Sequence, residues 1–246
     1  MKTLVRYLPL VILAIAWETV SRLQLVSSLA LPPLSEVAAA WWDLLKSGEL
    51  ITNGAASLWR AGAGLFLSIV IGGALGIFMA WWRPVNIALG PLVEALYPMP
   101  KSALIPVTVI WLGFGDGSKI LLILLGCMLP VTIGAYNGAR GSDQALVWTA
   151  RSMGASRLRM LWDVVLPSAT PELLNGIRTA LALSFILLVS SELIVSREGL
   201  GYLIGSLGSN GNYDAMYAVV LTVAFIGFAA DRVYQLFQDR MLRWQQ

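Results

Sequence analysis

Four ionisable side chains, Glu18, Glu94, Lys101 and Glu192, interrupt otherwise apolar stretches of the 246-residue chain. A charge among apolar residues is costly and marks either a polar cavity or a pairing. Glu192 ends the uncharged run 179–191, so it is either a group lining a polar cavity or a carboxylate at a helix end. Lys101 stands among Pro98, Pro100 and Pro106. There it could attract an anion, or it could be a lysine at the cytoplasmic end of a span. A different kind of polarity fills Trp148–Pro167, WTARSMGASRLRMLWDVVLP, which carries Arg151, Arg157, Arg159 and Asp163 between two apolar runs.

Much chemistry is excluded. The chain has no histidine, which removes the commonest general base, zinc ligand and proton relay. Its one cysteine, Cys127, lies in an apolar run and allows neither an internal disulfide nor a thiolate metal cluster. No carboxylate pair shares a helix face at catalytic spacing. The glycine-rich GFGDGSK of 113–119 fails the phosphate-loop pattern, because its lysine follows serine and precedes isoleucine, and it reads as a tight turn. No catalytic, metal or cofactor site is expected in this chain. A membrane enzyme would need a clustered acid, base or metal set, and a pathless scaffold would not need the broken third span described below.

The elements that carry these residues follow from composition. Hydrophobic residues make up 57% and charged residues 13%, with a mean hydropathy of +0.73. A soluble domain has about 25% charged residues. Uncharged runs at 62–82, 120–139 and 215–230 approach or reach the roughly 20 residues that cross a bilayer. The expected class is all-α and polytopic, a single membrane domain over 1–246 with about six spans near 5–25, 60–82, 90–113, 118–138, 174–196 and 215–237. A net charge of +3 and a pI near 9.2 then reflect arginine-rich cytoplasmic loops rather than nucleic-acid binding. The first span resembles a signal segment, with Ser28-Leu29-Ala30 as a possible cleavage site. Glu18 and Arg22 depart from that pattern, so a retained anchor is expected.

Six spans with both ends inside place Lys2, Arg6, Arg83, Arg140, Arg151, Arg157, Arg159, Arg178, Arg232, Arg240 and Arg243 in the cytoplasm. Arg22, Lys46, Arg60, Lys119 and Arg197 face outward, and Lys101 stays unassigned. The excess orients the bundle. The third span carries Pro91, Pro98, Pro100 and Pro106 and must be irregular. Such a break persists at membrane depth only when buried in protein or lining a wet cavity. In the second span Gly72 and Gly76 form a small-xxx-small pair, suited to close helix contact within the chain or to a dimer seam.

The polar loop, about 139–173, reads as two short helices. Ser142 or Asp143 can cap a helix over 144–151, Gly154 can take a left-handed turn, and Ser156 can cap a second helix through Trp162. Pro167 is expected to stop that helix. Such an element suits passing a push from a soluble partner to the bundle; a passive amphipathic helix on the headgroups is the alternative.

The spacing Ala150-x3-Gly154, then nine residues to Val164-x-Leu166-Pro167, resembles the EAA loop of ABC-importer permeases, E-A-A-x3-G-x9-I-x-L-P. LPPLSEV (31–37), SLWRAGAGLFLSIVIGGALG (57–76), PMPKSALIPVTVIWLGFGDGSK (98–119) and GLGYLI (199–204) extend the likeness to the nitrate/taurine/aliphatic-sulfonate permeases over nearly the whole chain. Trp148-Thr149 stands where that family has Glu-Ala, so the acidic anchor is missing.

The resemblance implies a type I importer permease of the inner membrane. Its expected partners are a second copy, a cytoplasmic ABC ATPase dimer that binds ATP and magnesium, and an extracytoplasmic binding protein. It further implies that Trp148, Thr149, Ala150, Arg151, Gly154, Ala155, Ser156, Arg157, Leu158, Arg159 and Pro167 couple to the ATPase. The expected cargo is a small anion of the sulfonate, taurine or nitrate type, or alternatively a thiamine-precursor pyrimidine or other small organic molecule. Lys101 and Glu192 are the candidate pathway residues.

Overall fold

The computed structural model describes residues 2–27 and 29–243, the side chains of 2–7 excepted, so Ser28 and the side chains of Lys2 and Arg6 lie outside the described residues. Every regular element among them is helical: α1 (Lys2–Arg22), α2 (Leu34–Lys46), α3 (Glu49–Trp81), α4 (Arg83–Leu96), α5 (Ile105–Leu112), α6 (Asp116–Arg140), α7 (Gln144–Ser152), α8 (Arg157–Met160), α9 (Leu166–Val195), α10 (Leu200–Ser209) and α11 (Tyr213–Met241). A 3-10 turn, Lys101–Leu104, precedes α5, and a π-helical segment, Leu161–Val165, joins α8 to α9. The fold is the all-α polytopic class expected from composition.

Among the described residues, α3, α6, the continuous stretch Arg157–Val195 and α11 are each long and apolar enough to cross a membrane. α4 and the Lys101–Leu112 segment are apolar enough only when taken together, and they are bent by 99° to one another, the form of a broken span or a re-entrant loop. The bend falls where the sequence placed its irregular third span. Pro106 sits near the start of α5, where a missing backbone donor costs little. The ammonium of Lys101 donates to the carbonyls of Leu96, Tyr97 and Met99 at 2.6–2.9 Å and so closes the C-terminal end of α4. Several helices overrun the expected spans: α3 begins at Glu49, not near 60, and the helix ending at Val195 begins at Arg157, not near 174.

That last overrun corrects one expectation. Pro167 does not stop a helix; it is the second residue of α9. Its missing N–H would orphan a carbonyl one turn back, but the register has already widened, with Leu166 N–H bonding to Leu161 O, a π-type step. The extra residue per turn lets the helix pass the ring.

The chain divides into two compact units. The first comprises Met1–Ser57 and Glu192–Ile226. Its core is Val37, Leu44, Leu50, Leu200, Leu203, Ala215, Ala218 and Val219. Glu18 ties α1 to the start of α2: it accepts from Arg22 Nε at 2.6 Å, Ser35 Oγ at 2.9 Å and Ser35 N–H at 3.1 Å. An anion over the first N–H groups of a helix is favourable.

The second unit comprises Leu58–Ser191 and Gly227–Gln246. Its helices approach closely at glycines. A Cβ on Gly72 would lie 2.7 Å from Met128 O, and one on Gly76 would collide with Thr132 O. The small-xxx-small pair is therefore occupied by α6 of the same chain. A Cβ on Gly134 would lie 2.6 Å from Glu172 O and one on Gly176 2.6 Å from Pro130 O, marking a close crossing of α6 and α9.

Arg60 and Lys119, both assigned by charge to the outer side, are almost wholly buried. Arg60 Nε pairs with Asp116 Oδ1 at 2.7 Å. Lys119 donates to Phe114 O and Gly115 O in the α5–α6 turn, where Gly113 at φ +74 closes α5.

Candidate functional site

The polar loop is built as a helix, a turn and a second helix. Asp143 accepts from Ala145 N–H at 2.8 Å and starts α7, and Ser156 Oγ accepts from Arg159 N–H at 3.3 Å and starts α8. Between them, Gly154 N–H bonds to Arg151 O and Ala155 N–H to Ala150 O, both at 3.0 Å. This paired closure needs a left-handed residue, and Gly154 supplies it at φ +82 with open space around its Cα. Arg159 and Asp163 form an exposed ion pair one turn apart, 3.3 Å.

What the loop shows outward is apolar as well as basic. Trp148, Met153, Leu158 and Trp162 are all strongly exposed, Met153 at 81%, while Met160 is buried and anchors the segment. Thr149, Arg151, Ser156, Arg157, Arg159 and Pro167 are exposed, and Ala150 and Ala155 half-buried. Ten of the eleven sequence-named loop residues fall within 148–159, and the π-helical joint separates them from the eleventh, Pro167.

A cavity of 590 Å³ opens in the second unit, walled by α4, α6 and Met79 of α3. Its polar groups are Asn86, Glu94, Tyr97, Thr132, Tyr136 and Asn137. Asn86, Gly90 and Glu94 fall at i, i+4 and i+8 on α4, hence on one stripe, and Thr132 and Tyr136 repeat the spacing on α6. Of these residues only Glu94 stood out in the sequence, as an isolated charge. α4 and Tyr97, on the near side of the bend, thus line a cavity.

Neither expected pathway residue lines this wall. Lys101 closes the end of α4, as described. Glu192, in the other unit, is fully buried. Its Oε2 accepts from Ser57 Oγ at 2.7 Å and from Gly201 N–H at 3.0 Å, and Ser57 Oγ in turn accepts from Leu200 N–H at 2.8 Å. Asn53 Oδ1 accepts from Gly199 N–H at 2.7 Å. Gly199, at φ +112, presses so closely on the Glu192 carboxyl that no Cβ would fit. Glu192 therefore organises the Gly199–Gly201 turn that opens α10.

Comparison with known proteins agrees with the helical architecture. The family described as binding-protein-dependent transport system inner membrane component matches residues 72–243. The taurine transport system permease protein TauC of Escherichia coli (strain K12) is 36% identical over 96% of this chain and 87% of its own length. The putative aliphatic sulfonates transport permease protein SsuC of Bacillus subtilis (strain 168) is 33% identical over 97% of this chain and 86% of its own. In fold, the chain matches a solved structure of the MetNI methionine ABC transporter in inward-facing conformations, with a TM-score of 0.67 and 21% identity over 82% of this chain and 98% of that one. The two long relatives and the family match together identify a multi-pass membrane protein, and this chain belongs to the ABC-importer permeases described as binding-protein-dependent transport system inner membrane components.

Proposed function

We propose that this permease carries a small sulfonate of the taurine type through the inner membrane, driven by a separate ATPase and supplied by an extracytoplasmic binding protein. The observation that carries the substrate is the near full-length identity to permeases named for taurine and aliphatic sulfonates. Two copies of the chain would pair, with both termini cytoplasmic and α1 kept as an anchor, since Glu18, Ser21 and Trp17 bond to residues beyond the possible cleavage site. ATP and magnesium would be bound by the ATPase.

The coupling element is the segment from Trp148 to Pro167. Its exposed Trp148, Met153 and Leu158 would enter an apolar cleft on the ATPase, and Arg151, Arg157 and Arg159 would meet acidic groups or lipid phosphate. Apolar burial by Trp148 would stand in for the missing glutamate. Closure of the ATPase pair would then draw two such loops together and turn the cavity outward, a rigid-body alternation. The 590 Å³ cavity is large enough for a solute of this size and would form part of the path.

Copurification tests the assembly. An ABC ATPase should be retained by the tagged permease from detergent-solubilised membranes, and the binding protein encoded with it should retain a sulfonate. A binding protein that instead retains a pyrimidine would replace the substrate assignment, and copurification without any ATPase would remove the importer reading.

A further inference from the structure

We infer that Glu94 makes the α4–α6 cavity a subsite for a solute bearing a primary ammonium group, so that the permease itself favours an amino-sulfonate over a sulfonate without the amine. The inference rests on the sulfonate reading above and narrows it.

The wall chemistry is one-sided. Among the described residues that line the cavity, Glu94 is the one charged side chain, and the other polar groups are two amides, a threonine and two tyrosines. Arg140 donates at 2.7 Å to Tyr136 Oη from outside that wall, and its guanidinium lies 5.5 Å from the Tyr136 ring. Glu94 makes no hydrogen bond or ion pair with any described residue, unlike Glu18, Arg60, Asp231 and Glu192, which all have partners. Glu94 is exposed, so its carboxylate is open to an arriving cation, and the pairing carries no burial penalty for the carboxylate.

The neutral groups suit the other end of such a solute. Asn86 and Asn137 each offer two N–H donors, and Tyr97 an O–H, to sulfonate oxygens. Thr132 has its hydroxyl proton engaged with Met128 O at 2.8 Å, leaving its lone pairs to accept. Gly90, between Asn86 and Glu94 on the same stripe, adds no side chain to the wall between them. A bare alkanesulfonate would bring a second negative charge to the wall that holds Glu94. The aminated solute brings a matching pair of charges.

Equilibrium binding to the full chain in nanodiscs, without binding protein, tests this with taurine and isethionate, which differs from taurine by a hydroxyl in place of the ammonium. Loss of one charge-assisted contact corresponds to roughly tenfold or more in affinity. Taurine should bind at least about tenfold tighter than isethionate, and Glu94→Gln should remove most of that preference by weakening taurine alone, with Glu94→Asp retaining part of it. Equal affinities for the two solutes, or a Glu94→Gln chain that weakens both equally, would overturn the subsite. ATP-driven taurine uptake by the complete complex separates the two readings. Uptake that proceeds without this binding preference sinks the subsite alone, whereas a wild-type complex that moves no sulfonate sinks the sulfonate reading beneath it.

Discussion

Ser57 and Glu192, 135 positions apart in sequence, share a 2.7 Å hydrogen bond in a fully buried site. Ser57 stands at the same time as acceptor for Leu200 N–H, so one hydroxyl links a carboxylate to the first residue of α10. Buried polar groups are tolerated when all their bonds are made, and they then fix one geometry. Glu192 reads better as the keystone of the Gly199–Gly201 turn than as a group that meets cargo.

Removing that carboxylate should therefore cost stability more than selectivity. Glu192→Ala leaves Ser57 O–H and Gly201 N–H buried without an acceptor, a loss on the order of 2–5 kcal/mol. Glu192→Gln keeps an oxygen and should lose about half as much or less. Thermal unfolding of the detergent-solubilised chain checks the order Ala below Gln below wild type. A Glu192→Ala chain as stable as wild type but with altered solute preference would return Glu192 to the pathway.

Gly76 separates packing within the chain from packing between copies. Its Cα faces Thr132 O, with Ala135 Cβ and Tyr136 N at 2.7 and 2.9 Å from an added Cβ. Gly76→Val should lower the unfolding temperature through overpacking worth roughly 1–3 kcal/mol or more. Size measurement of the surviving fraction should find its oligomeric state unchanged. A variant of native stability that has lost its oligomeric state would place the glycine pair at a seam between copies instead.

Gly154 is open on all sides but holds a left-handed backbone that closes α7. Gly154→Trp adds strain of roughly 1–2 kcal/mol in an exposed loop, which should leave membrane insertion intact while spoiling the docking surface. Solute-stimulated ATP hydrolysis by the assembled complex should fall to its unstimulated level. Gly154→Asn, which tolerates the same backbone, should retain much of the coupling. Full stimulation in the tryptophan variant would show that the loop does not transmit the stroke.

Gly90 leaves open part of the cavity on α4. Gly90→Phe should fill it, and uptake of labelled taurine should drop by at least about tenfold, equal to roughly 1.4 kcal/mol. Surface abundance, measured in parallel, should be near normal, because no residue of α4 is buried and the ring displaces little packing. Undiminished uptake would move the path elsewhere.

The sequence was most legible where local rules act alone. Long uncharged runs became long helices, and Asp143, Ser156 and Gly154 took the capping roles their types favour. It was least legible where a distant partner decides. The burial of Arg60 cannot be read until Asp116, 56 positions on, is brought beside it. Pro167 reads as a helix stop until the π step at Leu166 lets the chain continue. Glu192 had no visible partner because its partners lie near residue 57 and in backbone N–H groups, which carry no signature in composition. The cavity was hidden for a plainer reason: Asn, Thr and Tyr are common in spans, and only their joint i, i+4 spacing on two helices shows that they face one space.

ATP-dependent uptake of labelled taurine into proteoliposomes, by the permease assembled with its copurifying ATPase and the cognate binding protein, tests the central claim most directly. Accumulation that requires ATP and binding protein, and that collapses in the Gly154→Trp variant, is the predicted result. Contradiction would come from an intact, ATP-hydrolysing complex that accumulates no sulfonate, or from uptake that needs neither ATP nor the loop.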